Sequence, residues 1–312
     1  MSVHDLFTLV RPIGASVVTE ARRRGSDRSK NHAPAGHAYT RPVLAFIGAV
    51  VLMVVVLFIA GHSGGSLRDP VGAGAYELAM AGIAIAILGV GVVQSIRTRK
   101  LSRILLTATA AGTAFWQETY GDWGTYLLYS SEFATYDWGQ TRWSSPVQCW
   151  WFIAGYIFFY TTFFLALEKT FHVVKDRWPS VNPYLATTLV SFPMFYVFDL
   201  TLEGAAHGFG WWQYQYAFGP AMAVGEGHFP LLWPILEQVP FMVLIVFALA
   251  WRNNDGEDVF EFLARNVVRR RPGQVSILVS WIVTLNVTFL LTTILPLMAL
   301  RWIAGPASAT VP

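Results

Sequence analysis

The run "AGAYELAMAGIAIAILGVGVVQS" at residues 73–95 contains a single charged side chain, Glu77. About 20 apolar residues in a helix cross the roughly 30 Å hydrocarbon core of a bilayer, and a buried strand would be far shorter. Arg97, Arg99 and Lys100 follow the run at once. An apolar run that ends in basic residues is typical of a transmembrane helix that finishes on the cytoplasmic side.

The composition of the whole chain agrees with this reading. Of its 312 residues, 54% are hydrophobic and only 13% are charged, whereas a soluble domain has about 25% charged residues. In lipid the backbone must satisfy its own hydrogen bonds, so spans that do not form a closed barrel are helices. We predict an all-α, polytopic bundle of about seven transmembrane helices, at residues 42–61, 73–95, 102–120, 147–167, 183–201, 230–251 and 275–302.

Basic residues predict the orientation of this bundle. The tail before the first span and every second connection are rich in Lys and Arg, and the connections between them hold at most one. By the positive-inside rule the N-terminus is cytoplasmic and the long connections after the third and fifth spans are outside. Residues 1–41 are then a basic cytoplasmic tail, residues 42–302 a bundle in the cell membrane, and residues 303–312 a C-terminal tail. The tail's arginines favour orientation over nucleic-acid binding, so no nucleic-acid partner is expected.

Carboxylates gather on the predicted outer side, several of them at or inside a span. An ionised carboxylate at membrane depth costs on the order of 3 kcal/mol, so an intramembrane acid is a functional candidate. Three predicted spans bring four acids to one level, and we predict that these four are catalytic: Glu118, Asp199, Glu203 and Glu237.

Aromatic residues concentrate in the same outer segments. Between Trp116 and Tyr160 there are 16 aromatic residues in 45, and "FGWWQYQYAFGP" follows Glu203. An interfacial aromatic belt would be spread over every span end. An aromatic wall around acids suits proton-transfer chemistry through a cationic intermediate. The predicted substrate-binding residues are Trp116, Tyr120, Asp122, Trp123, Tyr126, His207, Trp211, Tyr214, Glu226 and His228.

Other chemistry has weaker support. His207 and His228 lie near Glu203 and Glu226, but no HExxH pairing accompanies them, so no metal is predicted. The single cysteine, Cys149, excludes an internal disulfide and a thiolate cage. No cofactor is expected, and the expected partners are a lipophilic small molecule and membrane lipids.

Four segments together resemble the AveC-like spirocyclases, integral membrane proteins associated with spiroketal formation. They are "WQETYGDWGTYLLYS" (116–130), "FDLTLEGAAHGFGWWQYQY" (198–216), "GEGHFPLLWPILE" (225–237) and "NNDGEDVFE" (253–261), and the likeness spans roughly residues 100 to 262. The resemblance implies acid-promoted cyclisation of a dihydroxy-ketone through an oxocarbenium ion.

Two other functions remain open at this point. An integral membrane terpene or meroterpenoid cyclase would use similar acids and aromatic rings. A lipid-binding or transport component is the third candidate, although the chain lacks the inverted repeats and paired broken helices that favour a transporter.

Overall fold

The computed structural model describes residues 72–308 and 310–311, apart from residue 137, residues 225–226 and residues 269–272. The predicted first span at residues 42–61, the basic tail before it, and the candidate Glu226 therefore lie outside the described residues.

Helices dominate the described chain, as the apolar runs predict. In chain order they are α1 (Ala73–Thr98), α2 (Arg103–Gly112), α3 (Glu118–Thr125), α4 (Trp151–Arg177), α5 (Pro183–Gly208), α6 (Val239–Ala250), α7 (Val259–Val268), α8 (Gln274–Phe289) and α9 (Leu295–Ala304). Within the described part, α1, α4, α5 and the run from α8 through α9 are each long and apolar enough to cross a membrane. The apolar stretch Pro234–Ala250 is shorter.

Helix α4 is the centre of the packing. It contacts α1, α2, α5 and α6, and 61% of its apolar window is buried, against 17% for α1 and 22% for α5. Phe164 and Leu167 on α4 are fully buried, as are Phe195 on α5 and Phe241 on α6. The rings of Tyr160 and Phe241 meet edge to face at 5.1 Å. Close-packed aromatic side chains thus bind the outer helices to α4.

The predicted span 102–120 is not one continuous helix in the structure. Helix α2 ends at Gly112, a 3₁₀ turn covers Phe115–Gln117, and α3 begins at Glu118. A polar network inside the bundle stabilises the break: Asn286 on α8 donates to Thr113 at 3.0 Å, and Gln117 donates to the Asn286 side chain at 3.0 Å. The Thr113 hydroxyl in turn donates to the Ala110 carbonyl at 2.7 Å, so the network also satisfies a backbone acceptor beside the break.

Two small antiparallel sheets order the long loops. β1 (Leu127–Tyr129) follows α3 and pairs with β2 (Trp212–Tyr214) after α5, with Leu128 opposite Gln213. β3 (Ala221–Val224) pairs with β4 (Gly227–Pro230). The long loops that follow α3 and α5 are therefore hydrogen-bonded to each other.

The acidic "NNDGEDVFE" segment forms the turn before α7. Asp258 accepts from the backbone N–H of Glu261 at 2.9 Å, and Glu261 accepts from that of Asp258 at 3.2 Å. This is a reciprocal N-terminal cap. Arg103 joins the cap to the bundle through ion pairs with Asp258 and with Glu168 on α4.

Candidate active site

A cavity lined by carboxyl groups lies beneath the paired loops, and we call it the acidic cavity. The volume available to water in it is about 50 Å³. That volume has room for several water molecules at roughly 10–15 Å³ each. Among the described residues, no Lys, Arg or His lines the cavity. Its acidic lining residues are Glu118, Asp122, Asp199, Glu203 and Glu237.

Helical spacing brings four of these acids to the cavity. Glu118 and Asp122 are four residues apart on α3, and Asp199 and Glu203 are four apart on α5, so each pair shares a helix face. Helix α3 approaches α9 closely at Gly124, where a Cβ atom would lie 2.9 Å from the backbone carbon of Leu297. The glycine thus allows α3 to pack against α9 and fixes the depth of its two acids.

The fifth acid, Glu237, comes from a π-helical turn, Pro234–Gln238, that precedes α6. A second π turn, Leu290–Ile294, joins α8 to α9. Thr293 in the second turn is 1% exposed and donates its hydroxyl to the Glu237 carbonyl at 3.0 Å. A π turn re-aims the side chains that follow it and is frequent at functional sites. The Thr293 contact holds the backbone from which the Glu237 carboxyl projects.

Tyrosine hydroxyls contact the two acids on α3. The Tyr156 hydroxyl donates to Glu118, and the Tyr129 hydroxyl lies 3.4 Å from both Glu118 Oε1 and Asp122 Oδ1. Burial, with the neighbouring Asp122 and Glu118, raises the pKa of Tyr129 well above its usual value, so the phenol stays protonated. The Tyr129 hydroxyl has a single proton, which it can donate to only one of the two carboxyls. The other carboxyl pairs with Tyr129 only if it carries a proton itself.

Glu203 has a different partner. The indole Nε1–H of Trp212 donates to Glu203 Oε2 at 2.6 Å, and an indole N–H can only donate. A donor fixed on a carboxyl oxygen stabilises the ionised form. A phenol oxygen can also accept from a carboxyl that carries a proton, so the Tyr156 contact is compatible with a protonated Glu118, whereas the indole contact favours an ionised Glu203.

A second, apolar cavity adjoins the first, and we call it the aromatic cavity. The volume available to water in it is about 90 Å³. Helices α1, α4 and α5 and the strands β1 and β2 supply its walls. Glu118, Asp199, Glu203 and Gln238 line both cavities. The principal aromatic lining residues are Tyr76, Tyr129, Trp151, Phe152, Tyr156, Phe159, Tyr160, Phe198 and Trp212.

Only some of the aromatic residues predicted to line the site do so in the structure. Tyr214 lines the acidic cavity, but Trp116 and Tyr120 are absent from the lining of both cavities, and Trp116 is 41% exposed. The reason is helical phase: Tyr120 is two residues, or about 200°, from Glu118 on α3, and Trp116 lies in the 3₁₀ turn that precedes α3. Their rings contact each other at 6.3 Å instead.

Three further predicted residues stabilise the site's surroundings instead of lining it. The rings of Trp123 and Tyr126 both lie 4.0 Å from the Arg301 guanidinium. Trp211 packs on Tyr76 at 4.4 Å between ring centres. These contacts anchor α3 and β2 to α9 and α1.

The predicted histidines also lie outside the lining of both cavities. His207 is fully buried, with Nδ1 2.8 Å from the Glu203 carbonyl and Nε2 accepting from the Tyr214 N–H at 3.3 Å. Both nitrogens are thus engaged with backbone, and the ring fixes β2 to α5. His228 lies exposed on β4. Within the described ranges, no group of three His, Cys, Asp or Glu side chains is arranged to hold a metal.

Sequence reasoning missed several residues that contact the acids, above all Tyr129, Tyr156 and Trp212. Tyr156 could have been found from aromatic residues recurring every three or four positions along α4. Trp212 stands beside Trp211, and the alternation of a strand places 212 and 214 on one face. Reading that segment as a strand would have selected Trp212.

The chain matches a known protein family. A family model described as "Spirocyclase AveC-like" matches residues 96–310, which is more than two thirds of the chain and includes all five acids of the acidic cavity. No curated protein and no solved structure matches the chain.

Proposed function

The chain belongs to the AveC-like spirocyclase family, and from that premise we propose that it closes rings in a lipophilic, polyketide-like dihydroxy-ketone to form a spiroketal. The protein is a membrane protein with a cyclase-type function. We place it as a multi-pass protein of the cell membrane. The observation that carries the reaction type is the cavity in which Glu118 and Glu203 meet with different hydrogen-bond partners.

In the proposed reaction Glu118 is the acid and Glu203 the base. Five carboxyls share one small cavity whose described lining residues include no lysine, arginine or histidine, and mutual repulsion keeps some of the carboxyls protonated. The Trp212 indole favours the ionised form of Glu203. An acid and a base on α3 and α5 meet the needs of ketone activation and hydroxyl deprotonation.

The reaction balances without a redox partner. Glu118 protonates the ketone oxygen while the first hydroxyl adds to the carbonyl carbon, and Glu203 takes the hydroxyl proton, which gives a hemiketal. Glu203 then returns that proton to the new hemiketal hydroxyl, the bond between the carbon and this hydroxyl breaks, and water leaves, which forms an oxocarbenium ion. The second hydroxyl adds to that ion and loses its proton to a carboxylate. The products are one spiroketal and one water, and no cofactor is required.

A second candidate is a terpene or meroterpenoid cyclase. The aromatic cavity favours it, because ring faces stabilise a passing cation by about 0.5–2 kcal/mol each. In that reaction a protonated carboxyl opens an epoxide or protonates an alkene. The acids at the junction of the two cavities could serve either reaction. The two reactions are therefore distinguished by which kind of substrate the protein cyclises.

The test is turnover by purified protein in lipid vesicles, given a long-chain dihydroxy-ketone and, separately, a prenylated epoxide. We expect spiroketal and water from the first and no cyclisation of the second.

Glu118→Gln keeps the size of the side chain but removes its transferable proton, and should lower turnover by about a hundred- to ten-thousand-fold. Trp116→Phe, outside both cavities, is the matched control. Wild-type turnover by Glu118→Gln would remove Glu118 from the mechanism, and inertness toward both substrates would favour a binding or transport function.

A further inference from the structure

The acidic and aromatic cavities meet at a common partition. Glu118, Asp199 and Glu203 line both of them. A substrate atom that is held between Glu118 and Glu203 therefore has space on two sides, one polar and one apolar. The reacting carbon of such a substrate lies inside its chain and not at an end.

The two sides differ in size and chemistry. The acidic cavity is the smaller, about 50 Å³ against about 90 Å³, and the more enclosed. Asp122, Glu237 and Tyr214 line it beyond the partition, and an alkyl chain there would cut these polar groups off from water without replacing their hydrogen bonds. A few heavy atoms that carry a hydroxyl group fill it best.

The aromatic cavity opens toward the side of the helix bundle. Tyr76 and Trp212, which line it near the loops, are buried. Its partly exposed apolar lining residues are Trp151, Phe159, Phe198 and Leu202. Trp151 begins α4 at the loops, whereas the other three lie roughly 9–15 Å along α4 and α5 from the loop-side ends at 1.5 Å per residue. In the described part of the chain α1 and α5 both pack on α4 but not extensively on each other. The opening thus lies at membrane depth, between α1 and α5.

We infer that the substrate is an unsymmetrical amphiphile whose reacting carbon separates a short hydroxyl-bearing arm, held in the acidic cavity, from a longer apolar arm, which occupies the aromatic cavity and reaches it from the bilayer. This inference rests on the proposed function, because it assumes that the reaction takes place at the partition. The small acidic cavity limits the length of the polar arm, and the opening between α1 and α5 leaves the apolar arm free to extend into lipid.

Photolabelling in lipid vesicles tests this arrangement without requiring turnover. The probes are two dihydroxy-ketones with a dodecyl tail, one with a diazirine in the tail and one with a diazirine in the short arm. The tail probe should label α4 and α5 around residues 152–159 and 198–202. The arm probe should label peptides that contain residues 118–125 and 233–238. Reversed labelling, labelling elsewhere or no labelling would overturn the inference.

The outcomes also separate this inference from the proposed function. Spiroketal formation together with reversed labelling would leave the function standing and remove the inference. The expected labelling without any turnover would support the two-sided site and contradict the catalytic proposal.

A variant at the rim tests the lateral route. Leu202→Trp places a larger side chain at the opening, and should lower the yield of tail labelling by about tenfold while arm labelling by a tailless ketodiol persists. Leu189→Trp is the matched control on the same helix, since Leu189 is 61% exposed and lines neither cavity. Equal tail labelling by both variants would exclude the route between α1 and α5.

Discussion

At the scale of single residues, the environment of each carboxyl matters more than its presence. Asp122 is buried with Oδ2 lacking a partner among the described residues, whereas Glu203 accepts an indole N–H. A buried oxygen without a donor is best accommodated when the carboxyl is neutral. The five acids of one cavity are therefore chemically distinct, which a proton-transfer site requires.

The residue-scale prediction concerns Trp212. Trp212→Phe keeps an aromatic ring in the wall but removes the N–H that donates to Glu203 at 2.6 Å. A hydrogen bond to a charged group is worth about 1.5–3 kcal/mol, so turnover should fall by roughly ten- to a hundredfold, with little change in KM. The measurement is steady-state turnover of the dihydroxy-ketone in vesicles. Trp178→Phe, at the far end of α4 and 51% exposed, is the control, and an equal loss in both variants would refute a role for this contact.

At the scale of elements, the irregular backbone segments are concentrated around the site. The break between α2 and α3 precedes Glu118, the first π turn contains Glu237, and the second π turn packs against the first. In a membrane such irregular backbone is tolerated where protein groups satisfy its polar atoms. The Thr293 hydroxyl has that role for the Glu237 carbonyl.

The element-scale prediction is that Thr293 positions Glu237. Thr293→Val is close in shape but cannot donate, so the carbonyl loses its partner and the π turn can relax toward α-helix. We expect turnover to fall by about tenfold with KM nearly unchanged. Thr293→Ser restores the hydroxyl and should restore most of the rate. Failure of the serine variant to recover activity, at equal thermal stability, would show that packing and not the hydrogen bond is responsible.

At the scale of the whole molecule, the site lies where the two long loops cover the bundle. Pairing of β1 with β2 joins the loop after α3 to the loop after α5, and both strands contribute to the cavity walls. The acids are thus enclosed by contacts between segments about 85 residues apart in sequence. We propose that these loops face the outside of the cell.

The whole-molecule prediction is the orientation of the bundle. Ser131→Cys and Gln215→Cys place thiols at exposed positions of the two long loops, and Asp255→Cys places one in the turn before α7. A membrane-impermeant maleimide applied to intact cells should label the first two and should label the third only after permeabilisation. The native Cys149 is fully buried and serves as the background control. The reverse pattern would invert the predicted topology.

Much of this architecture could be predicted because its causes are local in sequence. An apolar run of helical length identifies α1, α4 and α5 whatever surrounds them, because the cost of exposing a backbone to lipid depends only on that segment. The spacing of Glu118 with Asp122, and of Asp199 with Glu203, likewise places each pair on one face before any packing is known.

The tertiary structure alone decided which aromatic rings line the site, and why Trp212 and Tyr156 contact acids while Trp116 and Tyr120 do not. The position of Trp212 follows from a strand pairing, and those of Trp116 and Tyr120 follow from a helix break, and both features depend on distant partners, Asn286 among them. The same holds for the π turn at Glu237, whose carbonyl is satisfied by a residue 56 positions away. Hydrogen-bond satisfaction between remote segments leaves no periodic pattern in the sequence, and so it could be read only from the folded molecule.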